Sequence, residues 1–278
     1  MYSPEQKFKE EITRNREEKL LTDTKTVALK TPLSRLQIRE RGCYITEAAL
    51  FSPTFDEVIP VLFSDSNISI PKLTASHPMT PVGPYDGIGG QHGFARWADY
   101  HAFYLDAEDD STESVSMQAK RIDGGLTLTK VFELTDSTLT TKAIAQNPSD
   151  TPHRTSIGEH LYFMLSKENF SGLTINGHTL DELLGDGAEE QIKQGMPLYW
   201  GDYPGSAAIL FPDGYELRIK NTATQTQADQ IGMLIWHRPG TPSICFEPTL
   251  GFTQSQDQGS LVVAPFDFIA LHTSIELL

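Results

Sequence analysis

The chain reads as all-β, a large antiparallel β-sandwich with a short N-terminal helix. From residue 26 onward, apolar and polar side chains alternate with a period of two. Successive strand-like runs are separated by tight turn signals with no helical segment between them, which implies antiparallel pairing. The chain closes on Leu261 to Ala264 and Phe268 to Leu271, both suited to core strands. Its 278 residues, 38% of them hydrophobic, suffice for a sizeable core. Sandwiches of this length commonly form one domain, so the expected division is an extension over 1–25 and a sandwich over 26–278.

Pro4 to Leu21 reads as one charged helix with a thin apolar stripe at Phe8, Ile12 and Leu20. Ser3 is placed to cap it and Pro4 to open its first turn. A solvated helix along the edge of the sandwich is the favoured reading, and a dimerisation arm the alternative. Leu36 and Ile38 then alternate with Gln37 and Arg39. Val115 to Ile122 and Leu126 to Leu134 flank Asp123-Gly124-Gly125, a hairpin turn. Leu139, Thr141, Ala143 and Ala145 continue the pattern until Asn147-Pro148-Ser149-Asp150 breaks it. Ala207 to Phe211 and Tyr215 to Lys220 flank a second hairpin turn, Pro212-Asp213-Gly214. One stretch departs from this grammar. Thr74 to Gly90 is so rich in proline and glycine that a loop is expected, leading into His92 and lining or covering a site.

The formal net charge is −15, from 37 acidic and 22 basic residues. Such a surface repels the phosphates of nucleic acid and the anionic face of membranes, and a small neutral or locally neutralised ligand fits better. Two cysteines, Cys43 and Cys245, build neither a disulfide framework nor a zinc motif, which points to a reducing cytoplasm. A single bridge between them stays open. Met1 to Asp23 lacks the apolar core of a signal peptide, and no apolar run approaches a membrane span.

Three separated stretches carry chemistry. In Gln91-His92-Gly93-Phe94-Ala95-Arg96 an amide, an imidazole and a guanidinium lie within six residues. Gly93 permits close backbone approach, and Arg96 offers a planar fork for hydroxyls or a phosphate. In Gly158-Glu159-His160-Leu161-Tyr162-Phe163, His160 and Tyr162 share one strand face while Glu159 points the other way. His160 is either a proton donor to a ligand or a core histidine satisfied by a carbonyl. In Cys245-Phe246-Glu247-Pro248, Glu247 sits at a strand end among apolar neighbours. It is either a base with a raised pKa or a carboxylate paired with an arginine. His92, His160 and Glu247 also make up a minority two-histidine, one-carboxylate metal set.

Together and in this order, the three stretches resemble the aldose 1-epimerase (galactose mutarotase-like) superfamily, and especially its glucose-6-phosphate 1-epimerase-like branch. The resemblance rests on His92 to Arg96, His160 with Tyr162-Phe163, and Cys245 to Pro248, and extends over about residues 30 to 272. It implies a large antiparallel sandwich and an isomerase interconverting the α and β anomers of a hexose or hexose phosphate. Glu247 would be the general base, His160 the general acid, and His92 and Arg96 the sugar-positioning residues, with Gln91 and Asp202 also binding substrate. No cofactor or metal is implied, nor any nucleic-acid or membrane partner, and a monomer or homodimer is expected. Two departures bear on the substrate: Arg96 is the only basic residue inside the motifs, and Thr249-Leu250 replaces the commoner glycine or tryptophan after Pro248. A non-catalytic carbohydrate-binding sandwich is the alternative. A metal-dependent sugar isomerase or hydrolase is a third.

Overall fold

The computed structural model describes residues 25–65, 74–83, 92–105, 111–119, 125–166, 170–224, 230–252 and 259–278. The expected N-terminal helix and the tip of the 123–125 turn therefore lie outside the described residues. In chain order the first strands are β1 (Thr26–Lys30), β2 (Arg35–Arg39), β3 (Ile45–Ser52), β4 (Glu57–Leu62) and β5 (His77–Met79). Then come β6 (Tyr100–Leu105), β7 (Glu113–Ala119), β8 (Thr127–Leu134), β9 (Thr138–Gln146), β10 (His153–Thr155), β11 (Ile157–Met164) and β12 (Thr174–Ile175). Two short helices follow, α1 (Leu180–Leu184) and α2 (Ala188–Lys193). The last strands are β13 (Leu198–Trp200), β14 (Ser206–Leu210), β15 (Glu216–Ala223), β16 (Ile231–Trp236), β17 (Ser243–Leu250), β18 (Leu261–Val263) and β19 (Phe268–Leu277).

One sheet runs β1-β2-β3-β4-β11-β17-β16-β13, with β5 attached to β11. The other runs β12-β14-β15-β19-β9-β8-β7-β6, and β10 pairs with β18 as a separate ribbon. Neighbouring strands in both sheets pair antiparallel. This is the expected sandwich. The turn at Pro212-Asp213-Gly214 joins β14 to β15 as a hairpin, with Leu210 opposite Glu216. Helices α1 and α2 were not expected. Thr179 caps α1 through a reciprocal capping box with Glu182, a signal present in the sequence as Thr-x-x-Glu.

Burial separates the two sheets' roles. Along β8 and β9 fully buried residues alternate with more exposed ones, the pattern of strands with one face on the core and one toward solvent. In contrast, β17 is buried throughout and β11 in all but its last residue. Their inner faces meet the second sheet through Phe163, Ile244 and Phe246, which are essentially inaccessible to solvent. Burying each such side chain stabilises the fold by roughly 1.5–3 kcal/mol.

The inner face also carries a charged pair. Glu159 on β11 accepts hydrogen bonds from Lys130 Nζ on β8 and Thr141 Oγ1 on β9, each at 2.6 Å. Cys43 and Cys245 are both buried and free, so the chain has no bridge between them. Among the described residues, no helix is long and apolar enough to cross a membrane.

Candidate functional site

Strand alternation places His160 and Tyr162 on the outer face of β11, and Cys245, Glu247 and Thr249 on the outer face of β17. The pairing of Leu161 with Phe246 sets His160 beside Glu247, while β5 sets His77 opposite His160 on the other flank. Three hydrogen-bonded neighbouring chains thus deliver one ionisable group each to a single patch. His160 Nε2 lies 3.2 Å from Glu247 Oε1, with both side chains buried. They converge at hydrogen-bond distance rather than facing each other across a gap. The partner of Glu247 is His160, not an arginine.

Aromatic rings enclose the pair. His160 stacks on Tyr162 at 4.5 Å and on His77 at 4.9 Å, and meets Trp236 edge-on at 5.6 Å. His92 approaches the same ring edge-on at 5.1 Å and lies 5.5 Å from His77. His92 holds a left-handed backbone (φ 62°) followed by Gly93 at φ 63°. A non-glycine residue held there costs about 1–3 kcal/mol. A Cβ on Gly93 would fall 1.7 Å from the Thr80 carbonyl oxygen, so only glycine fits. The close approach that Gly93 allows is therefore to the chain's own backbone. Arg96, in a 3-10 turn over Ala95–Trp97, is buried, donates from Nε to Tyr44 Oη at 3.1 Å, and lies 5.0 Å over the Trp97 ring.

The burial that shields the cluster sets its protonation. It pushes the Glu247 carboxyl up to about 8. It holds the His160 imidazole well below its ordinary value, with the neighbouring His77, His92 and Arg96 adding to the effect. Burial and the Arg96 charge also bring His92 down to about 4 and His77 well below the usual range. Near neutral pH the imidazoles His77 and His92 are therefore neutral, and the His160–Glu247 pair shares a single proton.

Among the described residues, four buried side-chain atoms have no hydrogen-bond partner: Arg41 Nε, His77 Nε2, His160 Nδ1 and Thr249 Oγ1. Three of them belong to β5, β11 and β17, the strands that build this patch. Buried polar atoms are seldom left unpaired, and such a concentration suits a site whose ligand completes the network. His237 shows the contrasting case: its Nδ1 lies 2.6 Å from the Ser243 carbonyl oxygen and its ring packs edge-on against Phe170.

The structure thus brings together His92, Arg96, His160 and Glu247. Gln91 lies outside the described residues. Asp202 sits exposed on the turn after β13 and enters none of the cluster's hydrogen bonds or ring contacts. Sequence reasoning gave no site role to Tyr44, His77 or Trp236. His77 stands in the Thr74 to Gly90 stretch, which was expected to be loop; three of its residues instead pair with β11. Pro78 is tolerated because β5 is a short strand off the sheet's main path.

His160, Cys245 and Glu247 also place one donor atom each within 4.8 Å of one another. This set differs from the expected one by exchanging His92 for Cys245. Its donor types suit zinc, but burial holds the Cys245 thiol well above its usual range, so a metal would have to displace protons from both the thiol and the carboxyl. A separate cavity of about 340 Å³ is lined by Phe55, Glu57, Pro60, Met164, Asp213 and Tyr215, among others. It contains no member of the histidine cluster.

No protein-family model matches the chain, and no curated protein matches it in sequence. Solved structures do match it in shape. The Slr1438 protein from Synechocystis sp. PCC 6803 superposes with a TM-score of 0.70 at 17% identity, covering 91% of this chain and 95% of that one. A galactose mutarotase related enzyme from Lactobacillus acidophilus gives 0.66 at 15% identity, with coverage of 91% and 97%. A galactose 1-epimerase from Lactobacillus acidophilus NCFM gives 0.61 at 12% identity, with coverage of 91% and 94%. The architecture is the galactose mutarotase-like β-sandwich.

Proposed function

We propose that the chain is an aldose 1-epimerase acting on a hexose or hexose phosphate. The observation that carries this reading is the buried His160–Glu247 contact of 3.2 Å, walled by His77, His92 and Tyr162. Anomer exchange requires removing a proton from the C1 hydroxyl while delivering one to the ring oxygen. Those two oxygens sit on the same carbon, so an acid and a base in mutual contact match their spacing. Glu247 takes the hydroxyl proton, the C1 carbonyl forms, and the bond from C1 to the ring oxygen breaks. That oxygen keeps the electron pair and accepts the proton from His160 Nε2. Rotation about C1–C2 and the reverse transfers give the other anomer.

Before the ring opens, the pair's single proton must pass from Glu247, where burial rests it, to His160. Ring opening converts a carboxylate and an imidazolium into a carboxylic acid and a neutral imidazole, the forms that burial favours. His92 hydrogen-bonds the sugar near its ring oxygen and Arg96 positions it, with Gln91 as a further binding residue. The three motifs' likeness to the glucose-6-phosphate 1-epimerase-like branch, with the Arg96 guanidinium beside the cluster, favours a phosphorylated hexose within this class. The two buried free thiols suit a reducing, cytoplasmic setting.

The test is anomer exchange by NMR saturation transfer on glucose, galactose and glucose 6-phosphate. Acceleration by wild type, lost in Glu247→Gln, is the expected result. Binding without acceleration would instead identify a carbohydrate-binding protein.

A further inference from the structure

We propose that His77 is a substrate-binding residue whose Nε2 accepts a hydrogen bond from a hydroxyl of the bound sugar other than the anomeric one. This rests on the epimerase reading and deepens it by assigning a specificity contact on the same patch.

The tautomer follows from one contact. His77 Nδ1 lies 2.8 Å from the Ala75 carbonyl oxygen, which can only accept, so Nδ1 carries the ring hydrogen. In a neutral ring Nε2 is then a bare acceptor. It is buried, and among the described residues nothing donates to it. The ring itself is fixed by stacking on His160 at 4.9 Å and by Tyr44 at the same distance. His92 repeats the arrangement, with Nδ1 3.0 Å from the Val82 carbonyl oxygen. Two imidazoles 5.5 Å apart therefore turn the same kind of nitrogen away from their backbone anchors.

An acceptor wall of this kind reads O–H donors. A phosphate or carboxylate oxygen offers no hydrogen to a neutral Nε2 and would meet lone-pair repulsion there. The part of the substrate against His77 is accordingly a hydroxyl-bearing carbon. An anionic group would instead need the Arg96 guanidinium, which reaches the cluster beside Tyr44. Because His77 stacks directly on His160, the hydroxyl it reads belongs to the sugar whose anomeric carbon faces the His160–Glu247 pair.

The experiment is a hydroxyl scan. Exchange of glucose and of its 2-, 3-, 4- and 6-monodeoxy analogues is measured with wild type, His77→Asn and His77→Gln. Asparagine can keep the donor to Ala75 but offers nothing at the Nε2 position; glutamine can restore an oxygen acceptor there. Thermal melts establish that each variant is folded. His77→Asn should lower kcat/KM about ten- to a hundredfold for glucose and for all but one analogue. That one analogue, already poor for wild type, should lose nothing further, and His77→Gln should recover part of the loss. An equal loss on every sugar, or no loss on any, would overturn the acceptor role while leaving the epimerase reading intact. If wild type binds sugars without exchanging them, calorimetric Kd values read the same scan and judge His77 separately. No binding and no exchange with any sugar would overturn both.

Discussion

Glu247→Gln separates catalysis from folding in one variant. Burial moves the carboxyl from 4.5 to about 8, and at 1.36 kcal/mol per pH unit this is worth up to about 5 kcal/mol. The sign is set by which state holds the proton. Below pH 4.5 the folded and unfolded chains are both protonated at this group, and stability is undiminished. Between 4.5 and about 8 the unfolded chain releases a proton that the folded chain keeps, so stability falls as pH rises. Above about 8 the loss is complete. Glutamine never ionises and escapes this cost, while its amide still reaches His160. The variant should therefore gain on wild type by about 3 kcal/mol between pH 6 and pH 9 in urea denaturation. Over the same range it should lose about 10²- to 10⁴-fold in anomer exchange, the usual span for a general base. Turnover within tenfold of wild type would refute the assigned role. Parallel stability curves for the two proteins would refute the electrostatic argument.

Because catalysis needs one proton in the His160–Glu247 pair, kcat/KM should be level near neutrality and fall about tenfold per pH unit above about 8. A rate that instead climbs through pH 8, read by saturation transfer against the buffer background, would mean that a lone carboxylate is the working form. Arg96→Ala should lower kcat/KM at least tenfold more for glucose 6-phosphate than for glucose, whereas equal losses would make Arg96 a clamp for hydroxyls. In the same variant His92 should titrate above its present value of about 4, since a repelling charge is gone, and ring-proton NMR would show it. Lys130→Met strands the Glu159 carboxylate between the sheets and should destabilise by about 3–5 kcal/mol. Adding Glu159→Gln should recover most of that in chemical denaturation, and a persistent deficit would contradict the pairing.

Much of this was legible because a strand's alternation is local. The period of two along Ile157–Met164 and Ser243–Leu250 is enough to put His160 with Tyr162 and Glu247 with Cys245, and to send Glu159 the other way. The hairpin about Pro212-Asp213-Gly214 carries its own turn chemistry and is likewise readable. What alternation does not carry is which strands become neighbours. The contact between His160 and Glu247 joins residues 87 positions apart. His77 reaches His160 only because a three-residue strand forms inside a stretch whose prolines argue against one. Tyr44 and Trp236 have ordinary strand neighbourhoods, and only the folded sheet shows that their rings close on the imidazoles. The capping box at Thr179 and Glu182 was visible, but a helix of five residues leaves too short a periodic signal to stand out from a β-rich chain.

The Lys130–Glu159 contact has a consequence for how the chain finds its alignment. Glu159 and His160 are consecutive on β11, one facing the second sheet and the other the histidine cluster. A slip of β11 by one residue would exchange them. The imidazole would then meet the buried Lys130 ammonium, and the carboxylate would lie against Glu247. The first leaves a buried ammonium with no counter-charge and the second a buried carboxylate with no cation beside it, and each uncompensated charge is costly. A strand with two apolar faces would tolerate such a shift far more cheaply. Polar residues on both sides of β11 thus act as a key that fits its lock in one position only, so the pairing inside the sandwich helps hold the proton-transfer groups in alignment.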